Sequence, residues 1–178
     1  FDENVLDATN AWSRHVADGA ELEGLPETTL ARARQAAADT GREGWLLPLD
    51  APNYQAVMTH ATSEALRREF YEAWVTRACD PGPHAGQWDN TPLIAEILAL
   101  RHEAATLVGF GNFAEYSLAT KMAHETGEVL AFLRELARVS RPFAEREFAA
   151  LEAFAGRPLQ SWDVAFYSER MKRERLDV

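Results

Sequence analysis

The chain carries a single cysteine, Cys79, in 178 residues. One thiol forms no intrachain disulfide and cannot supply the spaced thiolates of a structural zinc site, which points to a reducing, cytoplasmic setting. Lysine is scarce too: Lys121 and Lys172 are the only two, and arginine makes up the rest of the 18 basic residues. Set against 28 acidic residues, these leave a net charge of -10. That charge repels phosphate backbones and anionic headgroups, so neither nucleic acid nor a membrane surface is an expected partner. Long apolar runs are missing as well. The most apolar windows, 93–100 and 129–136, are each interrupted by a charged residue and fall well short of the roughly 20 residues that span a bilayer. The first residues have neither the basic start nor the apolar stretch of a signal peptide.

What is present is a helix-forming chain. It is 47% hydrophobic and 26% charged, enough to bury a core as a single helical segment over 1–178. Apolar spacing predicts a first helix carrying Phe1, Val5, Trp12 and Val16 and closing at Gly19. A second runs from Pro26 to the glycine at 41. The stretch 45–49 is short, bulky and interrupted by Pro48, and is expected to be the one extended segment. Pro52 opens a short helix, and Thr62 and Ser63 offer caps for a longer one with Leu66, Phe70, Trp74 and Ala78 on its face. Residues 79–89 hold two prolines and two glycines and read as a loop.

Beyond that loop, Leu93 to Val108 form a broad apolar side that ends at Gly109. Asn112 with Glu115 makes a start like a capping box. Thr126 begins a long stretch to Gly156 that Pro142 should kink or split. Ser161 caps a last helix holding Trp162, Phe166 and Met171. Residue 1 is Phe, and the charged stretch 169–178 has no terminating Gly, Asn or Pro, so the chain is expected to be an excised segment of something longer. The fold class is therefore all-α, a multi-helix array.

The residues supply no complete chemistry of their own. Zinc hydrolysis on a helix needs H-E-x-x-H, two imidazoles one turn apart with a glutamate to work on the bound water. His102-Glu103-Ala104-Ala105-Thr106 breaks at Thr106, which cannot replace an imidazole. His124-Glu125-Thr126-Gly127-Glu128 crosses a cap and a glycine, so its side chains share no helix face. None of the five histidines has Glu three residues before it, which excludes a di-iron bundle. Cys79 and His84 are close in sequence, but catalytic pairs are assembled by the fold, and a lone cysteine in a Pro/Gly loop reads as incidental. Gly109-Phe110-Gly111 follows a helix, not a strand, and reads as a helix stop. The five tryptophans fit core or turn positions. No catalytic, cofactor-binding or metal residue is assigned.

Ordered strings along the whole chain nonetheless resemble one family. They are Phe1-x-x-Asn4-x-Leu6-Asp7-Ala8-Thr9, Leu22-Glu23-Gly24-Leu25-Pro26, Gly44-Trp45-Leu46-Leu47-x-Leu49-x-x-Pro52-x-Tyr54, Leu66-Arg67-x-x-x-Tyr71 and Thr76-Arg77-Ala78. The most specific is Asp89-Asn90-Thr91-x-x-Ile94-x-x-Ile97-Leu98-x-Leu100-Arg101, continuing through Leu107-x-Gly109-Phe110 and Ser117 to Ala123. Trp162-Asp163-Val164-Ala165-Phe166-Tyr167-Ser168-Glu169 closes the series, with Phe166 where the family has a tyrosine. These strings are similar to the thimet oligopeptidase and oligopeptidase A family of zinc metallopeptidases. The resemblance implies a cytoplasmic parent that hydrolyses short peptides with a zinc-activated water, in a channel between helical domains. Its zinc ligands would lie beyond Val178, so this portion would be inactive and metal-free on its own. Its partners would be the remainder of the peptidase chain and, with the covering segments absent, further copies of itself. The alternative is a stand-alone helical binding module without hydrolase activity.

Overall fold

Short apolar periods and frequent caps break the first half of the chain into small elements around one core. The computed structural model describes residues 1–176 and divides into two units, residues 1–90 with those from 151 on, and residues 91–150. In the first unit α1 (Asp2–Asn10) leads into β1 (Ser13–Val16) and a short 3-10 turn (Gly19–Leu22) whose N-terminus is capped by Asp18. Then come α2 (Glu27–Asp39), β2 (Trp45–Pro48), α3 (Ala51–His60) and α4 (Glu64–Val75). The side chains of Asp50 and Ser63 accept from the backbone N–H groups of Asn53 and Leu66, satisfying donors that the starts of α3 and α4 would otherwise leave open.

The mostly helical class expected from the sequence is observed. The first helix, however, stops at Asn10, and Ser13–Val16 pairs antiparallel with Trp45–Pro48, Arg14 opposite Leu47 and Val16 opposite Trp45. Trp12 and Val16 satisfy helical spacing, yet a strand at this point buries both against the core. That core gathers Trp12, Val16, Leu22, Leu25, Leu47, Leu49, Val57, Leu66 and Phe70. Trp12 meets Phe70 edge-on at 4.9 Å between ring centroids, and Tyr54 stacks on Trp74 at 4.4 Å.

No helix or strand occupies residues 76–90. The end of this loop is tied to α1: buried Asn90 accepts from the Asn4 side chain at 2.8 Å and donates to the Phe1 carbonyl at 3.1 Å. The last turn of α7 (Thr126–Ala155) and α8 (Val164–Leu176) complete this unit.

The second unit holds α5 (Thr91–Leu107), α6 (Phe113–Leu118) and most of α7. Gly109 sits at a φ of 89°, a left-handed conformation that ends α5. Asn112 then caps α6, accepting from the Glu115 N–H at 3.0 Å while Glu115 reaches back to the Gly111 N–H. Pro142 does not split α7, which runs unbroken for 30 residues. Among the described residues no helix is long and apolar enough to cross a membrane.

Candidate functional site

The residues that came nearest to a catalytic motif are not assembled into one. His102 and Glu103 are both exposed on α5, and the Thr106 hydroxyl, in the last turn of that helix, donates to the His102 carbonyl at 2.9 Å, a local side-chain to backbone bond. The His124 N–H donates to Glu128 at 3.1 Å, so the second His-Glu stretch forms a helix entry. Cys79 is half-buried, and its carbonyl accepts from the Gly86 N–H across the loop. The His84 ring lies edge-on to Trp88 at 5.4 Å, and its buried Nε2 has no hydrogen-bond partner among the described residues. Gly111 donates to Glu115, in keeping with a helix stop and start around Gly109–Gly111.

The strongest electrostatic cluster went unread in the sequence. Arg67, on α4, is 1% exposed, and Asp163, just before α8, is fully buried. Their side chains meet at 2.8 Å. Arg67 also donates to the carbonyls of Ala61, Thr62 and Trp162, and its guanidinium lies 4.2 Å from the centre of the Phe166 ring. The other Asp163 oxygen accepts from Arg157 at 3.0 Å and from the Gln160 N–H at 3.0 Å. Burial pushes the Asp163 carboxyl up, but the hydrogen bonds from Arg67, the Gln160 N–H and Arg157 outweigh it and hold it below the usual carboxylate range. Arg67 and Asp163 are enclosed by protein while Arg157 reaches the cluster from the surface, so the cluster clamps α8 to α3 and α4. The signal for it lay in two of the ordered strings, Leu66-Arg67 and Trp162-Asp163, 96 residues apart.

Nearby, a 230 Å³ hollow opens beside His60, Phe166, Glu169, Arg170 and Arg173. Glu169 holds Arg173 at 2.8 Å, and Arg173 approaches His60 Nδ1 at 3.5 Å.

Among the described residues no three His, Cys, Asp or Glu side chains converge as a metal site. The described residues therefore do not by themselves assemble the zinc site that the family resemblance implies for a whole peptidase.

A family model described as Peptidase family M3 matches residues 57–178. The chain belongs to peptidase family M3. Among curated relatives of this M3 chain, the oligopeptidases A of Salmonella typhimurium and Escherichia coli are each 52% identical over the whole of it. That of Haemophilus influenzae is 44% identical over 97% of it. The chain spans only about a quarter of their length, 27% for the first two and 26% for the third.

Proposed function

We propose that this chain is a non-catalytic helical portion of a zinc-dependent oligopeptidase, a cytoplasmic metalloendopeptidase that hydrolyses short peptides. The observation that carries this reading is the full-length match to oligopeptidases A that leaves nearly three quarters of each relative unaccounted for. Residues capable of binding zinc would belong to that remainder. The portion described here supplies scaffold: a clamped helical core in the first unit, and in the second a set of helices that keep large apolar side chains exposed. Peptides of limited length are the proposed substrates of the whole protein, and the remainder of the polypeptide is the proposed partner of this portion. The acidic surface and the lone half-buried cysteine suit a reducing cytoplasm.

Reading the coding sequence past Val178 tests the proposal. An H-E-x-x-H followed by a downstream glutamate in the same reading frame is the expected result. A frame that closes soon after, with no such motif, would favour a stand-alone binding module.

A further inference from the structure

All twenty residues from 131 to 150 of α7 are exposed. Phe132, Leu133, Leu136, Val139 and Phe143 follow one another at helical spacing, and Val129 before them and Leu151 after them continue the same face. From Phe132 to Phe143 the exposed run extends about 17 Å along the helix at 1.5 Å per residue, a seam rather than a scatter of surface leucines. Arg134, Arg138, Arg141 and Glu145 occupy the opposite side, where Arg138 pairs with Glu135 at 2.6 Å. A helix is held chiefly by burying its apolar face, and between Phe132 and Phe143 this one has its face in water.

We infer that this seam is an intramolecular docking surface, covered by an apolar helical face from the part of the same polypeptide that lies outside these 178 residues. The inference rests on the reading that the chain is one portion of a longer peptidase. Two observations favour that occupant over a second copy or a foreign partner. The relatives carry nearly three quarters of their length beyond the matched portion, ample chain to build a covering layer. The family match also runs through α5, α6 and α7 without a break, so these helices belong to the body of the peptidase rather than to an appendage. One detail narrows the covering face. Glu147 falls within the seam, four residues after Phe143 and four before Leu151. A carboxylate enclosed there requires a partner, so the covering face presents an arginine, lysine or other donor opposite it.

The test uses the full-length protein, with Leu136→Cys and Phe143→Cys as probes of the seam and Arg138→Cys and Arg141→Cys as probes of the polar side. Each is labelled with a maleimide and read by peptide mass spectrometry. Native seam probes are expected to react at least about tenfold more slowly than polar-side probes, at a rate that does not change on dilution, with all four alike in guanidinium. Seam probes that react as fast as the polar-side ones would overturn the inference. So would protection lost on dilution, which identifies a second copy as the cover. Zinc content and peptide hydrolysis are measured on the same samples: protection without either would sink the peptidase reading and leave the seam standing, and activity without protection would do the reverse.

Discussion

Arg67 and Asp163, 96 residues apart in sequence, meet at 2.8 Å with both side chains almost wholly out of water. Such a pair gains little over an apolar replacement but is costly to break, because removing one partner strands a buried charge. Here it also satisfies the carbonyls that follow α3 and fixes the start of α8, joining residues 1–90 to the segment from 151 on.

Asp163→Ala is therefore expected to destabilise the first unit by about 3–5 kcal/mol in urea unfolding. The double variant Arg67→Met, Asp163→Leu should lose less than the sum of the two single changes, since it strands neither charge of the pair. Additive losses would show that the two side chains do not act as a pair.

The same carboxylate sets a pH dependence. Its pKa is depressed in the folded state, so the native protein binds fewer protons than the unfolded chain in acid. The stabilisation is complete above the unfolded-chain value of about 3.9 and is lost as pH falls through the lower folded value. Glu135 and Glu169 are also held low by Arg138 and Arg173, but both are solvent-screened and add little. Wild-type stability should fall more steeply than that of Asp163→Asn below about pH 4. Parallel curves would remove Asp163 from the account.

Two glycines separate close approach from backbone strain. Gly24 has a φ of 91°, and a Cβ there would stand 2.2 Å from the His60 carbonyl oxygen. Gly41 has a φ of 70° with nothing near. Gly41→Ala should cost about 1 kcal/mol, and Gly24→Ala more than about 2, as a shift in the urea midpoint. Equal costs would mean that the α3 end yields easily.

The uncovered seam on α7 predicts that the 178-residue chain, purified alone, self-associates. Light scattering should give a mass that rises with concentration, and Leu136→Glu with Phe143→Glu should reduce it. A strict monomer at high concentration would contradict this.

Much of the helical order was legible because its signals are local. Ser63 caps α4, Asn112 caps α6, and Gly109 and Gly156 adopt the left-handed conformation expected at helix ends. The strand at Ser13–Val16 was not legible, because its partner is Trp45–Pro48 and Val16 fits a helical period equally well. Arg67 stands in one of the ordered strings, but only the fold brings Asp163, 96 residues away, to it. Pro142 signals a kink or a split in α7, and of these the split does not occur, the helix continuing through it. The apolar face of α7 could be read from spacing, but its exposure could not, because exposure depends on what packs against it. As for function, His102 to Thr106 showed where a zinc motif fails, while the peptidase identity came from ordered strings and was then met by the family match.

The most direct test of the central claim is metal analysis joined to a quenched-peptide cleavage assay, run on the 178-residue chain and on the full-length protein after dialysis. The account predicts stoichiometric zinc and hydrolysis of short peptides in the full-length protein, and neither in the chain alone. Tight stoichiometric zinc or robust cleavage by the 178 residues themselves would contradict it.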